Sequence, residues 1–201
     1  MPLPRREYDR TLNAEIERII YQINVVQEDA GGLFWGLNEE QFAWSPHPER
    51  WSMAQCFDHL NVTNQIFLRH FEAAVRQGRA DGVLSDGPYA YGFLSRLVLR
   101  LVTPPVKYRF KASAAWAPRP GRSMADITAE WRETHERFAR IVRDANGLDI
   151  VKIKVPSPVS SLFKFSLGIG FWIMTAHDRR HIRQARDVRN QANFPAGAIV
   201  A

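Results

Sequence analysis

The chain has 201 residues, of which 45% are hydrophobic and 24% are charged, an ordinary balance for a soluble globular protein. The length suits a single domain, spanning residues 1–201. The formal net charge is +6, but no nucleic-acid-binding motif accompanies it, so we expect a basic surface and no nucleic-acid partner. The single cysteine, Cys56, excludes an internal disulfide and favours a cytoplasmic location.

The first predicted element is a long amphipathic helix. Apolar residues recur at helical spacing from Leu12 to Leu37. Asn38 and Gln41 follow, at the spacing of a capped helical turn. The loop WSPHPER, broken by prolines, separates this turn from the next element.

The stretch WSMAQCFDHL, residues 51–60, begins the second long helix. Ser52 can accept from the backbone of the first turn and Gln55 can reach back to Ser52, which is a capping box. Trp51 precedes the cap, where a hydrophobic staple residue belongs. The apolar pattern continues to Val75, and RQGRADG ends the helix.

Residues 78–122 are rich in proline and alanine over their second half and predict a long crossover connection. We expect mostly loop, with one short helix near 90–102, lying over one end of a helical bundle. In that position the crossover would line or gate a pocket.

A third helix is predicted from Ser123, and a fourth over residues 167–190, after the short extended piece IVKIKVPSP. The apolar stretch 158–176 contains Lys164, one proline and three serines, so we interpret it as a buried helix start and not a membrane span. Four long amphipathic helices with one long connection between the second and third predict an all-α four-helix bundle.

His177 and His181 are the candidate functional pair. Four residues apart on a helix, they share one face, and two such imidazoles can hold one divalent metal. The pair faces inward, with Gln184 one step further along. A hydrogen-bonded core network is the alternative interpretation. A third ligand is needed, and the periodicity leaves both His59 and His135 open.

The remaining histidines and the cysteine fit the site less well. His70 shares a side with His59 but lies about 16 Å away along the helix. His47 lies in a proline-rich loop, where we expect it to be solvated. Cys56, one turn before His59, is expected to pack in the core.

Three neutral histidines with open positions are typical of catalytic metal sites. The metal would lower the pKa of its bound water or of a bound thiol. Each imidazole needs a partner for its other ring nitrogen, and Gln55 and Gln184 are the candidate residues for this polar lining.

Two stretches of the chain, LNEEQFAWSPHPERWSMAQCFDHL and HDRRHIRQARDVR, closely resemble the DinB superfamily of DinB/YfiT-like metalloenzymes. The resemblance covers essentially the whole chain. It implies an up-down-down-up four-helix bundle, often dimeric, and a divalent metal, commonly nickel or zinc, on three histidines. Carried over by position, these are His59, His177 and His181, which favours His59 over His135.

The resemblance implies an enzyme that acts on a small-molecule substrate. Family members with known activity include thiol-dependent S-transferases, which use a low-molecular-weight thiol, and others are described as metal-dependent hydrolases. The alternative is a non-catalytic bundle that binds a metal, a ligand or, in a stress response, nucleic acid. We expect Phe171 and Trp172, which point away from the histidines, to be covered by the crossover or by a homodimer interface.

Overall fold

The computed structural model describes residues 11–93, 97, 116–157 and 160–196. Its helices are α1 (Ala14–Phe34), α2 (Glu39–Ala43), α3 (Met53–Ala80), α4 (Met124–Asp144) and α5 (Leu167–Arg189), and its strands are β1 (Lys154–Ser157) and β2 (Ser160–Ser166). Over these residues the chain is mostly helical and contains a small antiparallel sheet of two strands.

Polar caps begin the helices at the predicted residues. The Ser52 hydroxyl accepts from the Gln55 N–H at 3.1 Å, and the Gln55 side-chain oxygen accepts from the Ser52 N–H at 2.9 Å. Asn38 and Gln41 form the same reciprocal pair at the start of α2. Each pair satisfies two backbone donors that the helix itself leaves unpaired. The predicted starts of α2 and α3 are confirmed.

Helices α3 and α4 run side by side in the same direction. Near their starts, the Asn61 amide donates to the Ile127 carbonyl at 2.9 Å. Near their ends, the Arg79 guanidinium donates to the Asp144 carbonyl at 2.8 Å. Because the numbers of the contacting residues increase together along both helices, the two helices are parallel.

Helix α5 runs antiparallel to α3. The Asn64 amide donates to the Asp178 carboxylate at 2.8 Å, whereas further along α3 the ring of Phe71 lies 5.0 Å from that of Phe171, nearer the start of α5. The first turns of α3 therefore lie level with the middle and second half of α5.

Helix α1 runs parallel to α5 and packs on it and on α4, whereas α5 also packs on α3. The Trp172 indole near the start of α5 donates to Glu15 near the start of α1 at 2.9 Å. Arg189 at the end of α5 donates to the Leu33 carbonyl at 3.0 Å. Thus α1 and α5 point one way, and α3 and α4 point the other.

The buried apolar side chains form two clusters, one toward each end of the helices. One cluster surrounds Phe71 and Phe171 beside the sheet, and the other surrounds Phe57 and Trp131 beside α2. Between them, α3 and α5 carry buried polar residues at the same level: His59, Asn61, Thr63, Asn64, Asp178 and His181. Such a polar layer within a core must be satisfied by internal partners or by a ligand.

The sheet corrects the all-α prediction. Residues 160–166, interpreted from sequence as part of a helix start, form β2 and pair antiparallel with β1, Val155 opposite Phe165. The helix begins only after Ser166, whose hydroxyl accepts from the Ile169 N–H. None of the helices in the described residues combines the length and the apolarity that a membrane span requires.

Glycine allows the sheet and α3 to approach α5 closely. A Cβ on Gly170 would lie 2.7 Å from a ring carbon of Phe71 and 2.9 Å from one of Phe165. Both separations are shorter than carbon atoms tolerate, so a larger residue here requires the rings to move.

The crossover begins later than predicted, because α3 continues to Ala80. After it, Leu84 forms an isolated antiparallel bridge with Leu148. Of the helix predicted near 90–102, Phe93 and Leu97 are helical. Residues 94–96 and 98–102 lie outside the described part of the chain. The last residues of the crossover, 116–122, lead directly into α4.

The crossover contributes to the cover around Phe171, because its residues Val83 and Tyr89 pack against the same core cluster. Phe171 is fully buried, with its ring 5.0 Å from Phe71 and 5.8 Å from Phe138. Trp172 is partly buried and packs against the same cluster. Helices and crossover residues of the same chain therefore surround this face, and the homodimer stays a prediction.

Candidate metal centre

Three imidazoles converge between α3 and α5, and we call His59, His177 and His181 the three-histidine cluster. Each offers one nitrogen such that these atoms all lie within 4.8 Å of one another. The ring of His59 lies 5.2 Å from that of His177 and 4.7 Å from that of His181. The antiparallel arrangement produces this convergence, because it places the second turn of α3 beside the second half of α5.

Hydrogen bonds fix which nitrogen faces inward in two of the rings. The Nδ1 atom of His59 lies 2.6 Å from the Trp116 carbonyl oxygen, and that of His181 lies 3.1 Å from the Gln184 side-chain oxygen. Both partners are acceptors, so Nδ1 must carry the hydrogen in each ring. The Nε2 atom of each neutral imidazole is then left with a free lone pair.

The spacing of the remaining nitrogens fits a metal. The Nε2 atoms of His59 and His177 are 3.4 Å apart. Two nitrogens at the usual zinc distance and at a tetrahedral angle are separated by about 3.4 Å. The Nδ1 atom of His177 is buried and, within the described chain, has no hydrogen-bond partner. The donor set of three imidazoles suits zinc, nickel or a similar divalent cation.

Burial keeps the cluster neutral. Loss of hydration is the main cause that lowers the pKa of His59, although the Trp116 carbonyl opposes it. Desolvation, followed by the neighbouring imidazoles and Arg180, holds the pKa of His177 well below its usual range. Burial also lowers the pKa of His181 to about 3. Near pH 7 all three rings are therefore in the neutral form that binds metals.

The two glutamines predicted as polar lining have different places. Gln184 contacts His181, as expected of a partner for the outer ring nitrogen. Gln55 is exposed, and its side-chain oxygen accepts from Ser52 in the capping box. No hydrogen bond between Gln55 and the three-histidine cluster is present in the described structure.

His135 lies in a separate group, which we call the Asp178 network: Asn64, His135 and Asp178. The His135 Nδ1 atom lies 2.9 Å from the Trp131 carbonyl, and its Nε2 atom lies 3.1 Å from the Asp178 carboxylate. Asp178 also accepts from Asn64 and is fully buried. Both nitrogens of His135 are occupied, so this ring has the hydrogen bonding of a core histidine.

The other sequence candidates stay apart from the three-histidine cluster. His47 is exposed, as predicted for the loop. His70 lies three turns along α3 from His59 and is not a member of the metal-type group. Cys56 is fully buried among apolar side chains, and burial raises the pKa of its thiol far above the usual range. It packs as predicted.

Three features of the site escape the sequence analysis. The Trp51 ring lies 4.8 Å from His59 and 5.7 Å from His181, so the residue predicted as a staple also lines the cluster. The Trp116 carbonyl comes from the far end of the crossover. The charge of Arg180 acts on all three imidazoles. Only Trp51, adjacent to the Ser52 cap, had a sequence signal that could have indicated it.

Comparison with protein families gives one finding, and it agrees with this geometry. The family profile of the DinB superfamily matches residues 22–185, well over half of the chain and all of the three-histidine cluster. No curated protein and no solved structure matches the chain. On this match the chain belongs to the DinB superfamily.

Proposed function

We propose that the chain is a metal-dependent enzyme in which His59, His177 and His181 bind one divalent cation, nickel or zinc. The observation that carries the proposal is the convergence of three buried or partly buried imidazoles whose nitrogens lie within 4.8 Å. Two of these rings have their outer nitrogen already held by an acceptor, which prepares the inner lone pair for a cation.

A divalent cation on three imidazoles supplies a Lewis acid that lowers the pKa of a coordinated water or thiol. The chain's own residues orient and enclose this centre. Trp116 and Gln184 hold two imidazoles by hydrogen bonds, and the Trp51 ring packs against one side. His177 and Trp51 are partly exposed, and we propose that a small-molecule substrate approaches from their side.

The reaction that follows from this chemistry is hydrolysis by the activated water or S-transfer by an activated low-molecular-weight thiol. Membership of the DinB superfamily supports both. The positive charge of Arg180 beside the cluster favours an anionic thiol or substrate.

The same proposal includes the architecture. The helix directions and packing support an up-down-down-up four-helix bundle, to which β1 and β2 are added. We further propose that residues 1–201 form one domain, that the protein works in the cytoplasm and that two copies form a homodimer. Light scattering tests the dimer: a monodisperse monomer at high concentration would exclude it.

The proposal is tested on protein purified without an affinity tag. Elemental analysis should find about one nickel or zinc per chain, and a screen of thiols with electrophiles, beside a screen of hydrolysable esters and amides, should find turnover that a chelator abolishes. His47→Ala is the control variant: it removes an exposed imidazole outside the three-histidine cluster, so it should keep both the metal and the turnover. Metal binding without any turnover would replace the enzyme by the non-catalytic alternative, a metal-binding bundle.

A further inference from the structure

Two consecutive residues of α3 hold the same short segment that precedes α4. The Trp116 carbonyl lies 2.6 Å from Nδ1 of His59. The carboxylate of Asp58 accepts from the backbone N–H of Arg119 at 2.5 Å and from its guanidinium Nη2 at 2.5 Å. The contact to the imidazole and the ion pair to its neighbour therefore fix one segment at two points.

The ion pair is a strong anchor. The Asp58 side chain is only 1% exposed, so its charge has to be compensated within the protein. The Arg119 guanidinium does this with Nε as well as Nη2, at 3.1 Å and 2.5 Å from the same oxygen. The same Nη2 also contacts the carboxylate of Glu130 on α4 at 2.6 Å.

The segment is also stiff. Pro118 and Pro120 flank Arg119 and restrict the backbone on both sides of it. Gly121 then turns the chain with a φ of 71°, a conformation that favours glycine, and Ser123 caps α4. A displacement of Arg119 would therefore move Trp116 with it.

We propose that Arg119 is a positioning residue for the three-histidine cluster. By clamping residues 116–122 onto Asp58, it keeps the Trp116 carbonyl against His59, so that the His59 ring stays in the tautomer with hydrogen on Nδ1 and a lone pair on Nε2. The role of Arg119 in metal binding rests on the function proposed above, whereas its effect on the tautomer of His59 does not.

The clamp is expected to matter for affinity because the partner of an outer ring nitrogen fixes the orientation of a ligating imidazole. Removal of such partners typically lowers metal affinity by about 10- to 100-fold. Arg119→Ala retains the backbone bond to Asp58, so we expect about a 10-fold loss for it. Asp58→Ala removes both contacts and should weaken binding more.

The affinity experiment uses Zn²⁺ in competition with a chromophoric chelator. Arg122→Ala is the matched control, because Arg122 contacts Glu130 at 3.1 Å but makes no contact with Asp58 in the described structure. It should leave the affinity within about 2-fold, because the contact of His59 with Trp116 and the anchor on Asp58 both remain. Arg119→Lys keeps the charge without the forked geometry and should restore the affinity only in part.

A second readout needs no metal. Long-range ¹⁵N–¹H spectra of the metal-free protein should show one His59 tautomer, protonated on Nδ1, in the wild type and in Arg122→Ala. In Arg119→Ala the second tautomer should appear, with the helical circular dichroism retained. If Arg119→Ala leaves both the tautomer and the Zn²⁺ affinity unchanged, the clamp is wrong. If the wild type binds no Zn²⁺, the proposed function fails, and the tautomer comparison alone decides the clamp.

Discussion

The three-histidine cluster and the Asp178 network share α3 and α5 and contain consecutive residues, His177 and Asp178, yet they use imidazole in opposite ways. In the Asp178 network, Nδ1 of His135 faces the Trp131 carbonyl and its Nε2 faces the carboxyl group of Asp178. In the three-histidine cluster, His59 and His181 each use Nδ1 and leave Nε2 to face the other rings.

The difference shows which histidine is available to a cation. A carbonyl only accepts, so Nδ1 of His135 carries hydrogen, and its Nε2 is already hydrogen-bonded to the Asp178 carboxyl group. Neither nitrogen of that ring therefore offers a free lone pair to a metal. His59 keeps one, and its neighbours are two further neutral imidazoles instead of a carboxylate. The hydrogen bonds of the outer nitrogens therefore separate a core histidine from a candidate ligand more sharply than burial does.

The largest expected effect on stability comes from the Asp178 network. Asp178→Ala removes a fully buried carboxylate and leaves His135 and Asn64 without their partner. We expect the free energy of unfolding of the metal-free protein to fall by about 3–5 kcal/mol in chemical denaturation. Asp187→Ala, on the exposed side of the same helix, should change it by less than about 0.5 kcal/mol. Equal losses in the two variants would contradict the role of the network.

The second prediction concerns pH and the three-histidine cluster. The folded-state pKa of each ring is lowered, so below pH of about 6.5 the unfolded chain binds more protons and stability falls as pH falls. Between pH 7 and 5.5 the His181 ring, whose pKa burial lowers to about 3, should cost about 1 kcal/mol, and His59 and His177 should add to this loss in the same direction. Thermal and denaturant unfolding of the metal-free protein can measure the loss. His181→Ala should reduce the fall in the free energy of unfolding by the contribution of that one ring. A wild-type stability that is constant over this range would show that the rings are not buried as described.

The third prediction tests a partner within the three-histidine cluster. Gln184→Ala removes the acceptor on Nδ1 of His181 and should weaken Zn²⁺ binding about 10-fold, as measured by chelator competition. Gln184→Glu preserves an acceptor and should retain most of the affinity. An unchanged affinity in Gln184→Ala would mean that packing alone orients His181.

The smallest expected effect distinguishes the two glutamines. Gln55→Ala removes one half of the capping box, so the free energy of unfolding should fall by less than about 1 kcal/mol. Its Zn²⁺ affinity should equal that of the wild type, because Gln55 contacts the cap of α3. A weakened affinity would restore the prediction that Gln55 lines the site.

Local signals predicted the helix starts and the inward pair. Ser52 with Gln55, and Asn38 with Gln41, are close in sequence, so the spacing alone indicates a capping box. The four-residue spacing of His177 and His181 likewise determines a shared face once α5 forms. These parts of the fold and of the site depend on only one element of structure.

Features that depend on two or more elements could not be predicted from the residues. The choice between His59 and His135 follows from helix direction and from the partners of each ring, and only the family resemblance favoured His59. The Trp116 carbonyl is a backbone atom and has no sequence pattern. Strand β2 lies in an apolar run that continues into α5, so the run alone did not separate strand from helix.

The central claim, that the three-histidine cluster and not the Asp178 network binds a cation, is tested most directly by Zn²⁺ titration of metal-free protein. The wild type should bind about one ion per chain with an affinity that His59→Ala loses and that His135→Asn, folded by circular dichroism, retains. The claim would be contradicted if His135→Asn lost the ion while His59→Ala kept it, or if the wild type bound none.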